Sequence, residues 1–239
     1  MSNHLSLRSG NPVLKANTFI QRQTTIDTGT MTITGTVNKT ALGLLLLMTT
    51  AIFTWNMAPT DPRISALMMV GIFGGLIAAI ITVFKRHLAP YTTPIYALLE
   101  GLALGGISRF FETLYPGIVN QAVFLTFGTL AALLFAYQSG LIKPTENFKL
   151  GIVAATGGIF FVYIISFILG LFGVQVPLIH SNSNFGILFS FGVVVIAALN
   201  LVLDFDFIEE GAEIGAPKYM EWFGAFGLLV TLVWLYLEI

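Results

Sequence analysis

Seven apolar stretches of about 20 residues, at roughly 40–58, 64–84, 91–111, 118–138, 150–173, 185–205 and 219–238, decide most of what this chain can become. A helix needs about 20 apolar residues to cross the hydrocarbon core of a bilayer, and each stretch qualifies. Between them stands helix-stopping sequence: MAPTDPR, KRHLAPYTTP, YPG, IKPTENFK and VQVPLIHSNSN. Proline and glycine close one helix, and Asp, Ser, Thr or Asn opens the next. Only 10% of the 239 residues are charged and 56% are hydrophobic. A soluble domain carries about 25% charged residues, so this chain cannot cover a water-facing surface. The expected fold class is an all-α integral membrane protein with seven transmembrane helices. Residues 1–38, polar and without a stretch apolar enough for a secretory signal, are expected to form a cytoplasmic N-terminal tail. Residues 39–239 are expected to form the seven-helix membrane domain.

Orientation follows from the Lys and Arg of the short loops. With the N-terminus inside, the inner side holds Arg8, Lys15, Arg22, Lys39, Lys85, Arg86, Lys143, Lys149 and Lys218, and the outer side only Arg63 and Arg109. An odd number of spans then puts the C-terminus outside. Trp55 and Trp234 fall near outer ends and Trp222 near an inner one, as interfacial aromatics should. Gly71 with Gly75, and Gly101 with Gly105, are spaced so that helix backbones can approach closely.

Ionisable residues inside the spans are few. Glu100, in YALLEGLALGG, sits near the middle of the third span. A charged acid at that depth costs about 3 kcal/mol on insertion scales, so it must be neutral, paired or facing a wet cavity. Asp204, in LNLVLDFDFIEEGAEIGAPKYMEW, lies about five residues, or about 7.5 Å of helix rise, inside Glu209. Asn200 is one turn earlier on the same face and makes a polar stripe with it. Asp206 is turned about 200° away and groups with Glu209, Glu210 and Glu213 as an acidic cytoplasmic mouth. An acid just inside the barrier can respond to cytoplasmic pH, attract cations or hold a base from another helix. Lys85 and Arg86, at the inner end of the second span, are the candidate ion-pair partners.

Several chemistries are excluded. Cysteine is absent, which removes disulfides, zinc–thiolate sites and thiol catalysis. His4, His87 and His180 have no metal-ligand spacing, and neither HExxH, GxSxG nor a phosphate-binding glycine loop occurs. A net charge of −1 gives no case for nucleic acid. The chain is expected to be no enzyme, to need no cofactor, and to have the lipid bilayer as its first partner.

From about residue 40 onward the sequence resembles the Bax inhibitor-1-like membrane proteins, the transmembrane Bax inhibitor motif family. LNLVLDFDFIEEGAEIGAPKYMEWFGAFGLLVTLVWLYLEI and YALLEGLALGGISRFFETLYPGIVNQAVFLTFGTLAALL carry the likeness, and NPVLKANTF looks like the start of bacterial members. The resemblance implies a seven-helix bundle whose last helix is surrounded by the other six, in a bacterial cytoplasmic membrane. Some members are calcium leaks opened or closed by pH. Their switch is a pair of aspartates, in the sixth and seventh helices, with an arginine from the second bearing on it. In the family a Gly-x-x-x-Tyr follows the sixth-helix aspartate, and Gly215 and Tyr219 place that aspartate at Asp204; Asp206 falls where relatives often have glutamine. The chain departs from the pattern at the other two positions. The seventh-helix register lands on Leu229, and the second span has no internal arginine. Glu221, at the inner end of the seventh span, is a substitute partner suggested by its depth.

These features support a pH-sensitive cation leak with calcium as the permeant ion. Asp204, Asp206 and Glu221 would sense pH, and Glu100 and Asn200 would line the path. A second reading is a non-transporting regulator that binds other membrane proteins, such as a membrane protease, through the polar tail. A third is a proton-coupled transporter, for which Glu100 is the best argument.

Overall fold

The computed structural model describes residues 29–58, 60–173 and 184–239. Seven long helices follow one another: α1 (Ile33–Trp55), α2 (Arg63–Phe84), α3 (Ala89–Leu114), α4 (Ile118–Gln138), α5 (Glu146–Leu171), α6 (Asn184–Glu213) and α7 (Met220–Glu238). A single 3-10 turn, Arg86–Leu88, joins α2 to α3. The described residues contain no strand beyond an isolated bridge between Thr30 and Pro217. Six helices are long and apolar enough to cross a membrane. The exception is α3, which carries Glu100, Arg109 and Glu112 among its apolar residues.

The helices begin and end where their local chemistry dictates. Thr32 caps α1 by accepting a hydrogen bond from the Gly35 amide at 3.0 Å, and Thr145 caps α5 through Phe148. Glu112 reaches forward to the Gly117 and Val119 amides and closes the open start of α4. α6 ends on Gly215, whose φ of 65° is a left-handed conformation open to glycine. There the Ala216 amide bonds to the Gly211 carbonyl and the Gly215 amide to Ala212, which satisfies the last carbonyls of the helix. α1 starts at Ile33 rather than near 39, because Thr36 and Thr40 return their hydroxyls to the backbone one turn earlier and are buried among other helices. The polar tail expected over 1–38 thus contributes its last residues to a helix, and residues 1–28 lie outside the described residues.

Side-chain links show that the helices alternate in direction. One end gathers the starts of α1, α3, α5 and α7 and the ends of α4 and α6, through Thr32 with Glu221, Thr93 with the Trp222 carbonyl, Tyr137 with Glu209 and Lys149 with Asp206. Lys39, Lys85, Arg86, Lys143, Lys149 and Lys218 lie toward this end, here termed the basic end. The opposite end joins Ser108 to Tyr236, Tyr163 to Glu238 and Arg109 to the Trp55 ring.

α7 forms the core. Fifty-six per cent of its apolar window is buried, against at most 28% for any other candidate span. It packs against α1, α3, α4 and α6, with Leu229 and Leu235 fully enclosed. Other helices expose Phe, Ile and Leu broadly, as surfaces facing hydrocarbon do. Small residues permit the closest approaches. A β-carbon at Gly101 or Gly105 of α3 would overlap the Leu47 or Ala51 carbonyl of α1, and one at Gly71 of α2 would stand 2.6 Å from the Leu99 carbonyl.

Candidate functional site

Two acids, one on α6 and one on α7, differ sharply in their surroundings. Asp204, on α6, faces α7. A β-carbon at Gly227 would lie 3.2 Å from its Oδ1, and the hydroxyl of Thr231, one turn further along α7, bears on its carboxyl. Oδ2 is buried and has no hydrogen-bond partner. Leaving such an acceptor unsatisfied costs about 1–3 kcal/mol, more when it is charged, so a native structure that keeps one invites a functional reading. Neither Gly227 nor Thr231 stands out in the sequence as a partner. The one available signal was the lone hydroxyl in FGLLVTLVW.

Glu221 opens α7 and has no exposed surface. Its Oε1 accepts from the Thr32 amide at 2.9 Å, the Thr32 hydroxyl at 2.8 Å and Lys218 Nζ at 2.8 Å. Its Oε2 is paired with Lys39. The carboxylate therefore ties the cap of α1 to the start of α7. Just beside it, Met31 is 2% exposed, its amide bonds to the Ala216 carbonyl at 2.7 Å, and its side chain packs near Gly211 and Gly224.

The structure does not bring Glu221 to Asp204. Gly227, beside Asp204, is six residues beyond Glu221, about 9 Å along the helix, and the two carboxyls share no partner. Glu221 was expected to stand in for the missing seventh-helix acid on depth alone. Its charge is instead spent on two lysines and the α1 cap. Leu229, where that acid would fall, is fully buried and packs against Gly43 of α1.

The remaining expected residues occupy separate places. Asp206 pairs with Lys149 of α5 at 2.5 Å, so it is not purely a solvated acid. Glu209 accepts a hydrogen bond from Tyr137 of α4. Asn200 Nδ2 donates to Thr156 of α5 at 2.9 Å and to the Ile196 carbonyl of its own helix at 2.8 Å. Glu100 lies between α2 and α3, where a β-carbon at Gly75 would be 2.9 Å from Oε2. Glu100 thus sits at a different helix interface from Asn200 and Asp204, and Asn200, one turn before Asp204 on α6, gives its amide to α5. Lys85 and Arg86 make no ion pair among the described residues. The Arg86 guanidinium stacks on Phe223 of α7, 5.2 Å from the ring centre. Phe223 is one turn of α7 from Gly227, about 6 Å, so Arg86 stands next to the Asp204 region without reaching the carboxyl.

Two cavities flank α7. The larger, about 760 Å³, opens at the basic end between α1, α4, α6 and α7 and includes Tyr137, Lys143, Asp206 and Glu209 in its wall. The smaller, about 340 Å³, lies toward the opposite end between α1, α3, α4 and α7. Leu44 and Leu232 belong to both walls and stand between them. Asp204, Glu100 and Asn200 line neither. Among the described residues no group of His, Asp and Glu has the arrangement of a metal site.

No curated protein and no solved structure matches this chain. A family model does: that of the Bax inhibitor 1 like proteins matches residues 11–239, nearly the whole length. With six helices fit to span a bilayer and the sequence features of the last third in place, the chain belongs to the Bax inhibitor 1 like family.

Proposed function

We propose that this protein is a pH-sensitive cation leak whose conformational balance is set by the proton on Asp204, with α3 as a seventh span. The observation that carries the reading is the buried Oδ2 of Asp204, without a hydrogen-bond partner and facing the central helix α7. A carboxyl in that position makes different contacts in its two protonation states. As a neutral acid it has a proton to donate. As a carboxylate it needs a donor or a cation. Arg86, held over Phe223 about one turn away, is a cation with no ion pair among the described residues. Its movement onto Asp204 would stabilise one arrangement of α6 and α7 over another, and a proton would bias that balance.

The path is proposed to enter through the cavity at the basic end and to run along α7 toward the barrier formed by Leu44 and Leu232. Asp206 and Glu209 at the wide mouth offer oxygen ligands of the kind calcium prefers. The two leucines form an apolar barrier that can close a pore by excluding water. The basic end is cytoplasmic in this reading, as the distribution of Lys and Arg requires, and the C-terminus is outside. The membrane is proposed to be a bacterial inner membrane. The test is calcium flux into proteoliposomes, measured across pH for the wild type and Asp204→Asn. A pH-dependent flux that becomes pH-independent in the variant supports the reading, and equal fluxes at every pH remove Asp204 from it.

A second reading, a regulator that binds other membrane proteins, draws on the contacts of residues 30–32. The Thr30–Pro217 bridge, buried Met31 and Thr32 clamp the entry to α1 onto the α6–α7 turn. A partner holding the chain ahead of Thr30 would act on the helix pair that carries Asp204. Removal of residues 1–28, which spares this clamp, separates the readings: a lost cellular effect with intact flux identifies a regulator.

A further inference from the structure

The smaller cavity has features that the leak reading does not use. Its wall is built from one stripe of each surrounding helix: Leu47, Ala51 and Trp55 of α1, Val123 and Thr126 of α4, and the Leu229–Tyr236 face of α7. No charged residue contributes to it. Met48, Ile52, Val123 and Phe127 at its edge are exposed on the surface of the bundle, so entry is from the hydrocarbon of the bilayer. At about 340 Å³ it falls within the range of small-molecule sites, about 300–1,000 Å³.

Its polar groups are few and unequal. Ser108 and Tyr236 satisfy each other at 2.6 Å. Thr126 is different: it is only 4% exposed, and its hydroxyl is buried with no hydrogen-bond partner. A threonine within a helix ordinarily returns its hydroxyl to the carbonyl one turn back, as Thr36, Thr40 and Thr82 do here. The Thr126 hydroxyl, in the wall of a cavity with no charge, is left for something else.

We propose that this cavity binds an uncharged amphiphile taken from the bilayer, a hydrocarbon body carrying one hydroxyl or carbonyl oxygen that hydrogen-bonds Thr126. An uncharged wall disfavours ionic headgroups, since the lining itself supplies no countercharge. A pure hydrocarbon would leave the threonine hydroxyl unsatisfied, which is the basis of selection. The site does not depend on ion conduction and can be tested without it.

The probe is a decanol bearing a photoreactive diazirine, added to the full-length protein in nanodiscs, with cross-links mapped by peptide mass spectrometry. Unlabelled decanol and decane are compared as competitors at equal mole fraction in the bilayer. The expected result is saturable labelling of α1 and α4 around Ala51, Val123 and Thr126, with decanol competing about tenfold better than decane. Thr126→Val should abolish that preference while leaving residual labelling. Ala51→Phe should fill the cavity and remove the saturable component, and Val123→Trp, at the rim, provides the same test if Ala51→Phe does not fold. Labelling that never saturates, or that spreads over all lipid-facing helices alike in the wild type and the filled variant, means ordinary boundary lipid and overturns the proposal. So does an undiminished decanol preference in Thr126→Val.

Discussion

Glu221 and Asp204 are both acids turned into the centre of the bundle on adjacent helices, yet their settings are opposite. Glu221 receives two hydrogen bonds from Thr32 and ion pairs from Lys39 and Lys218. Asp204 has the Thr231 hydroxyl near its carboxyl and one buried oxygen with no hydrogen-bond partner. A fully paired charge fixes a structure, because removing any partner leaves a cost. A carboxyl with an unused oxygen can gain or lose a proton or a partner while the surrounding helices still pack. Depth in the membrane alone therefore does not distinguish the two acids; the census of partners does.

The contrast is broken most severely at the paired acid. Glu221→Gln should destabilise the protein by about 3 kcal/mol, since two lysine contacts lose their countercharge at a residue with no exposed surface. Thermal unfolding followed by tryptophan fluorescence measures it. A midpoint unchanged from wild type would mean that the cluster is dispensable. Thr231→Val, on the other side of the comparison, should cost about 1 kcal/mol by removing the hydroxyl that bears on Asp204. It should also move the pH at which flux changes, which Glu221→Gln should not do. Gly227→Ala places a methyl group 3.2 Å from Asp204 Oδ1. The carboxyl or the helix must give way slightly, at about 1 kcal/mol, and the flux at a fixed pH should change more than the melting temperature. Arg86→Gln is milder still. It removes the stacked cation from Phe223, with about 0.5–1 kcal/mol of stability, and should narrow the difference in flux between high and low pH.

The smallest effect is expected far from both acids. Asp61, in the loop ahead of α2, is bound to Arg63 at 2.7 Å, which holds its carboxyl below the usual carboxylate range. Its stabilising contribution is present above the unfolded-state value and fades as pH falls through the depressed one. The Arg63 side chain is 77% exposed, and solvent-screened pairs contribute little. Asp61→Asn should leave both the melting temperature at neutral pH and the pH dependence of flux unchanged. A shifted flux profile would show that pH is sensed at more than one end of the bundle.

The helices were largely legible in the sequence, because a bilayer admits few ways to satisfy a backbone. Apolar length and the proline and glycine breaks located all seven, and the glycine pairs of α2 and α3 mark places where neighbouring backbones meet. The start of α1 was less readable. Thr, Gly and Asn in ITGTVN resemble a tail, and only tertiary burial of Thr36 and Thr40 makes them helical. The surroundings of the acids could not be read at all. Periodicity gives the face of a helix, and the position of a residue in its span gives its depth, but neither says which neighbour supplies the facing side chain. Thus Glu221 and Asp204 seemed paired by depth, whereas Glu221 is bound to residues about 180 positions earlier. The Arg86 guanidinium likewise could be placed at the correct end but not on Phe223.

The most direct measurement is titration of the Asp204 carboxyl itself, by infrared difference spectroscopy on the protein in lipid, with Asp204→Asn to assign the band. A carbonyl signal from the protonated acid that is present at low pH, disappears over the same interval in which flux changes, and is absent from the variant is the result predicted here. A band that stays constant across the whole working range while flux still responds to pH would contradict the account, because the proton that matters would then reside on another group.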